Sequence, residues 1–294
     1  MIDPRRLRVL QAVAAHGSVA GAAQSLCLTP PAVSQQLLAL ERETGASLID
    51  RAGRQVALTA AGRLLAAHGE RIAAHLRQAE RDLAELTGQA SGPVRIAAFQ
   101  SVMAPIIVPA LRDLAATSPA VQPVITERYG PGAVADLRLG DLDIVLTEYD
   151  AAGPPPASQV LGLRHLAFDP YLLVIPPDWQ ITPRGLRDLA GRPWVAGPPG
   201  TACDHALQRL AAEAAIAIPA GDVCVEFASV LALVAAGRGA AVVPKMTLGQ
   251  TSVTVCALPL GGRHIAAWHQ AGPAQPAPAT ATVLDALARA AFAG

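Results

Sequence analysis

The sequence predicts a mixed α/β chain with an N-terminal winged helix-turn-helix, a long linker helix and a two-lobed α/β domain. Three observations carry this. Residues 18–41, SVAGAAQSLCLTPPAVSQQLLALE, read as two short helices joined by a tight turn. Residues 60–86 contain no proline and repeat apolar residues every three to four positions. From residue 93 to 292, short apolar runs alternate with helical stretches, the signature of βαβ units.

The helical hairpin comes first. Ser18 is placed to cap its first helix, and Ala22, Ala23 and Leu26 give that helix a narrow apolar stripe. Small Ala side chains let a second helix cross closely. That helix opens on Thr29-Pro30-Pro31. Thr29 can cap it, and Pro30 at its first position sacrifices no hydrogen bond. Val33, Leu37 and Leu40 recur at i, i+4 and i+7 and face inward, leaving Ser34, Gln35 and Gln36 outside. A major groove admits such a helix: Gln can bond an adenine edge with both amide groups, and Ser can bond a base or a phosphate. An ordinary helical hairpin is the alternative. Cys27, at the turn, reads as a small buried apolar residue.

Residues 48–59, LIDRAGRQVALT, read as two short strands around a basic Gly turn, a wing. Arg51 and Arg54 flank the turn within reach of phosphates. Residues 1–65 hold 7 Arg against 4 acids, whereas residues 91–294 hold 13 basic and 15 acidic residues. In a chain that is neutral overall, this asymmetry points to an anionic partner for the N-terminal part.

The pattern as a whole resembles the N-terminal region of the LysR-type transcriptional regulators. The matching residues in 4–88 include Leu7-Arg8-Val9-Leu10, Gly17-Ser18, Ala22-Ala23, Pro31-Ala32-Val33-Ser34-Gln35-Gln36, Leu40-Glu41, Arg51 and Leu58-Thr59-Ala60-Ala61-Gly62. Two positions depart from it: Ile49 stands where the family usually has Phe, and Leu38 lies on the outer side of the second helix, where a polar residue is more usual. The resemblance implies a cytoplasmic regulator that binds double-stranded DNA as a homodimer or homotetramer and is not an enzyme. It implies DNA contacts from Ser18, Thr29, Pro30, Pro31, Ser34, Gln35, Gln36, Arg51 and Arg54. It also implies a small-molecule effector in a cleft between two α/β lobes, and no cofactor.

After the wing, Leu65, Ile72, Leu76, Ala79, Leu83 and Leu86 keep a three-to-four spacing through Ala60 to Leu86, with Gly62 and Gly69 as weak points. Charged residues fill the gaps, so the apolar seam is narrow, as in a two-stranded coiled coil. Such a helix needs a partner. Packing on its own effector domain is one answer; the resemblance favours an antiparallel pairing with its twin. Residues 87–93 are turn-forming and read as a hinge.

Strands are expected at Val94–Phe99, Val121–Arg128 and Asp143–Thr147, with helices at 102–116 (accommodating Pro105 and Pro109) and 132–139. This is βαβαβ, hence a parallel sheet. A second unit follows from Leu166–Ile175 through Trp194–Ala196, a helix at Ala202–Ala215, a strand at Cys224–Phe227, a helix at Ser229–Ala236 and a strand at Ala240–Val243. His264–His269 reads as a strand and Ala279–Phe292 as a closing helix. Two lobes joined by two crossings suggest a hinged, periplasmic-binding-protein-like pair. The expected division is 1–59 for the DNA-binding head, 60–92 for the linker helix and hinge, 93–164 plus 265–294 for lobe one and 165–264 for lobe two.

In open α/β sheets ligands bind beyond the carboxyl ends of strands, near helix N-termini. That rule selects Gln100 and Ser101 after the first strand, Thr147 and Glu148 after the third, the Pro199-Gly200-Thr201 turn, and Phe227 and Ser229. Ser101 and Thr201 could equally be plain helix caps, Glu148 a solvated loop acid and Phe227 core. A Glu148 facing the cleft would favour an amine-bearing effector such as an amino acid.

Other chemistry finds no support. The seven His residues form no metal-binding spacing, and no phosphate-binding loop or nucleophile elbow occurs. Four widely spaced Cys suit reduced thiols. Cys203, in a proposed effector loop, could be a peroxide-sensing thiol or an inert one. No run of eighteen apolar residues implies a membrane span, and the N-terminus, MIDPRRLRVL, turns amphipathic too early for a secretion signal. The alternative function is a stand-alone solute-binding or enzymatic α/β protein with an accessory helical domain.

Overall fold

The computed structural model describes residues 2–50, 56–86, 92–128, 130–158, 161–219, 221–249, 251–270 and 276–292. The head holds α1 (Pro4–His16), α2 (Val19–Ser25) and α3 (Pro30–Thr44), then an antiparallel pair, β1 (Ile49–Asp50) and β2 (Ala57–Leu58). The caps follow the sequence: Ser18 Oγ accepts from the Gly21 amide at 3.0 Å and Thr29 Oγ1 from the Ala32 amide at 3.4 Å. Val33, Leu37 and Leu40 pack with Leu10, Val13, Ala22 and Ala23 in one apolar cluster. The Arg51–Gln55 turn of the wing lies outside the described residues.

Cys27 corrects an expectation: it is exposed, not buried. It directly follows the C-cap of α2 with φ +53, a left-handed turn that reverses the chain and carries its side chain outward.

The long helix α4 spans Ala60–Leu86. Its two glycines are close-approach positions: a Cβ on Gly62 would lie 2.1 Å from the Leu48 carbonyl oxygen, and one on Gly69 2.9 Å from the Leu7 side chain. Leu65 turns into the head core and leaves the expected seam. Ile72, Leu76 and Leu83 remain on its outside, Leu76 with 62% of its surface free.

The second half is built on a sheet ordered β10-β6-β11-β5-β3-β4, with β9 also paired to β6. Strands β3 (Gly92–Ala98), β4 (Val121–Glu127) and β5 (Ile144–Asp150) form the parallel part. Between β3 and β4 the expected single helix is divided into α5 (Gln100–Val102), a π turn at Met103–Ile107 and α6 (Val108–Thr117). Pro105 lies in the π turn and Pro109 in the first turn of α6, so the widened turn accommodates two residues that lack an amide N–H. Helix α7 (Pro131–Leu139) covers the opposite face.

Strand β6 (Leu161–Ile175) starts earlier than expected and runs unbroken between two cores. Its first part pairs with β11 (Gly262–Gln270), its last with β9 (Ala241–Pro244) and β10 (Thr254–Cys256). Around that far end lie β7 (Val195–Ala196), α8 (Ala202–Ala214), β8 (Asp222–Val223) and α9 (Phe227–Ala235). Cys224–Phe227 is not a strand: pairing stops at Val223, and Phe227 already opens α9. Helix α10 (Pro278–Phe292) closes the first core against α6 and β3. Among the described residues no helix is long and apolar enough to cross a membrane.

Candidate nucleic-acid interface and ligand cleft

Two sites emerge. On the head, α3 is divided lengthwise. Val33, Leu37 and Leu40 are buried, while Ser34, Gln35, Gln36 and Leu38 lie on the exposed side. Thr29, Pro30 and Pro31 are exposed at its start. Gln36 is steadied by the Arg6 Nε–H at 3.3 Å, and Arg6 in turn pairs with Glu43. Ser18 is half-buried and spent on its cap. Arg51 and Arg54, expected beside phosphates, lie outside the described residues.

The second site is where β6 and β11 cross between cores. Arg263, 1% exposed, donates from Nε and Nη2 to Asp169 Oδ2 at 3.0 and 2.9 Å. It also pairs with Glu148 of β5 and donates from Nη2 to Ser101 Oγ at 2.8 Å. The Phe99 and Phe227 rings lie 5.6 and 5.9 Å from the guanidinium. Burial would push the Arg263 guanidinium down; the Glu148 and Asp169 carboxylates outweigh it and hold it above its ordinary value. Gly262 allows this strand approach, because a Cβ there would meet the Phe168 ring at 2.5 Å.

Beside this cluster opens a cavity of about 500 Å³, lined by Gln100, Ser101, Ala104 and Pro105 from one side and by Phe227, Ala228 and Leu231 from the other. Met246, Thr247, Thr251 and Ser252 also line it. Gln100, Ser101 and Phe227 therefore meet where the sequence placed them. The remaining expected positions do not line this cavity. Glu148 is no solvated loop acid but the buried partner of Arg263. Thr147 follows Val145 onto the α7 face of β5, since alternate residues face opposite ways, and its buried hydroxyl has no partner among the described residues. Thr201 is a cap: its Oγ1 accepts from the Asp204 amide at 3.3 Å and donates to the Pro198 carbonyl at 2.9 Å. Gly200 supplies the left-handed turn before it, following Pro199, and Ser229 is exposed on α9.

Sequence reasoning missed Arg263, Asp169 and Tyr171. The first two had a signal, Asp169 being the one acid of β6 and Arg263 the one Arg of β11. Tyr171 is buried, its hydroxyl unpartnered among the described residues, and burial pushes its phenol up, with nearby Cys203 and Glu148 adding to it. Cys203 is buried too; burial first, then Glu148, pushes its thiol up, which disfavours the thiolate form. Among the described residues no group of three metal-ligating side chains occurs.

A head that presents a helix for a DNA groove, joined to a hinged two-lobed domain with an inter-lobe cleft, defines a ligand-responsive DNA-binding protein. The family profile for the bacterial regulatory helix-turn-helix protein, lysR family, matches residues 4–63, and that for the LysR substrate binding domain matches residues 87–291. The chain is 32% identical over 252 residues to the RuBisCO operon transcriptional regulator of Allochromatium vinosum, covering 84% of this chain and 81% of that one. In fold it is similar to a Corynebacterium glutamicum OxyR C206 mutant (TM-score 0.58, 22% identity, covering 100% of this chain and 94% of that one). It is similar also to full-length CbnR complexed with its target DNA (TM-score 0.55, 21% identity, covering 99% and 100%). The chain belongs to the LysR family of regulatory helix-turn-helix proteins: it is a DNA-binding transcriptional regulator with an effector-binding domain, and the family is not one of enzymes. This sets aside the alternative of a stand-alone solute-binding or enzymatic protein.

Proposed function

We propose that this regulator reads its operator with α3 and senses a small molecule in the cavity between its lobes. The observation that carries the DNA reading is the lengthwise division of α3, apolar residues inward and Ser34, Gln35 and Gln36 outward. Gln35 reads a base edge, with Ser34 and Gln36 beside it. Ser18, Thr29, Pro30 and Pro31 bring the helix entrance to the phosphates, and Arg51 and Arg54 add wing contacts. The exposed seam of Ile72, Leu76 and Leu83 supports a homodimer, itself able to pair into a homotetramer, so that two heads address two half-sites. A protein acting on genomic DNA works in the bacterial cytoplasm.

The crossing of β6 and β11 supports a division into 1–59 (head), 60–92 (linker helix and hinge), 93–164 plus 265–294 (lobe one) and 165–264 (lobe two). The effector contacts Gln100 and Ser101 from lobe one and Phe227 from lobe two. Glu148 acts behind that lining through Arg263, whereas Thr147, Pro199, Gly200, Thr201 and Ser229, also expected at the cleft, lie away from this cavity. The walls carry apolar and hydroxyl groups, which suits a ligand with an apolar body and a hydrogen-bonding end. Two carboxylates against one guanidinium leave an excess negative charge behind the lining, which favours an amine-bearing metabolite such as an amino acid.

A gel shift with the intergenic DNA upstream of the gene, over a salt series, tests the DNA reading. Affinity should fall linearly on log–log axes with salt and exceed that for random DNA. Equal affinity for both would overturn it. Thermal-shift screening of metabolites tests the cleft, since a ligand of the native state raises its apparent stability.

A further inference from the structure

The back of the DNA-binding head rests on α7 of its own chain. Asp136 of α7 is buried, and its carboxylate gathers partners from two helix ends and a loop. The Ser25 hydroxyl, at the end of α2, donates to Oδ1 across 3.1 Å, and His16 Nε2, at the end of α1, lies 3.1 Å from the same oxygen. Arg128, just before α7, pairs with Oδ2. Beside this knot Leu139 packs into the head's own apolar core with Val9, Leu10 and Val13, and Arg8 of α1 pairs with Asp141. A buried carboxylate that loses a donor keeps its desolvation cost, so this contact selects one orientation of the head. Ser34, Gln35 and Gln36 stay exposed, so docking aims the recognition helix without covering it.

The inner face of the same helix touches the effector machinery. Ala133 and Leu137 pack against Val145 of β5 and Trp268 of β11. The far end of β5 carries Glu148 and the start of β11 carries Arg263, the two halves of the cleft ion pair. One layer of packed side chains therefore separates the cleft strands from α7, and α7 holds the head.

We propose that the outer face of α7 is a docking surface for the DNA-binding head of the same chain, through which the state of the cleft reaches the head without passing along the linker helix. The relay rests on the regulator reading above; the docking does not. It requires an element with two arrangements that both sites bias, here the head docked on α7 or released from it.

Hydrogen exchange of the full chain without DNA tests the docking, read on peptides covering residues 4–16 and 131–142. Leu139→Asp, Arg8→Asp and Asp141→Arg should each speed exchange in both peptides by about tenfold, because local opening loses a tertiary contact. Arg8→Asp combined with Asp141→Arg should return it towards wild type. These two partners are part-exposed, so the reversed pair tests the contact even if Leu139→Asp fails to fold. Unchanged exchange in the single reversals, or no return in the double, would overturn the docking. A circular-permutation gel on the upstream intergenic fragment tests the relay. Released variants should bind within about threefold of wild type and bend the fragment by a different angle. Loosened heads with an unaltered bend would overturn the relay. A wild-type chain that ignores the fragment would instead count against the regulator reading and leave the exchange result standing.

Discussion

The Arg263 guanidinium grips the Asp169 carboxylate with two hydrogen bonds, 3.0 Å from Nε and 2.9 Å from Nη2, and both side chains are sealed from solvent. The two residues are cross-strand partners at the point where β6 leaves one core for the other. The same guanidinium reaches Ser101 and Glu148 on one side and faces the Phe227 ring on the other. The strand crossing between the two cores is thus pinned by a buried charge cluster against which the proposed effector cavity opens.

Arg263→Met should cost about 3–5 kcal/mol of stability, since it leaves the Glu148 and Asp169 carboxylates buried without their cation. Urea unfolding at neutral pH would read this as a lowered midpoint. Arg263→Met with Asp169→Asn removes one stranded charge yet keeps an oxygen for the Met246 amide, 3.0 Å away, and should recover part of the loss. No recovery would mean that packing, not charge, dominates.

Ser101 and Thr201 should separate cleanly. Ser101→Ala strips a hydroxyl that both lines the cavity and engages Arg263, so it should abolish the shift that effector causes in operator footprints. Basal operator affinity should stay within about threefold, under about 1 kcal/mol. Thr201→Ala removes a cap and should lower stability by about 0.5–2 kcal/mol with the effector response intact. A lost response in Thr201→Ala would return the Pro199-Gly200-Thr201 turn to the cleft.

Thiol labelling of the native protein at pH 8 should modify exposed Cys27 first and leave Cys203 untouched. Burial raises the Cys203 thiol's pKa, so at that pH it stays protonated and unreactive. Rapid labelling or peroxide oxidation of Cys203 would reinstate it as a sensor.

Leu76→Asp places a charge in the exposed seam of α4. If that seam joins two chains, sedimentation should show monomers, and operator binding should collapse because the half-sites lose their tether. A mutant that stayed fully dimeric would remove α4 as the interface.

Local signals were legible in the sequence and long-range ones were not. Caps Ser18 and Thr29, the Val33-Leu37-Leu40 stripe and the span of α4 depend on neighbours within a few residues, and periodicity displays them. Gln100, Ser101 and Phe227 followed from a rule about strand ends. The Arg263 cluster joins residues some 90 to 160 positions apart, and only the pairing of β11 with β5 and β6 brings them together. Glu148 was misjudged for that reason: its charge is spent on a partner 115 residues away. Cys27 failed differently, because a left-handed turn residue at a helix end obeys backbone geometry before hydropathy.

The most direct test of the central claim is a gel-shift titration of wild type and Gln35→Ala on the upstream intergenic fragment and on random DNA at one fixed salt concentration. The account predicts that wild type prefers the fragment, and that Gln35→Ala loses about 1–3 kcal/mol on it and much less on random DNA. Equal losses on both, or no preference by wild type, would contradict the claim that α3 reads an operator.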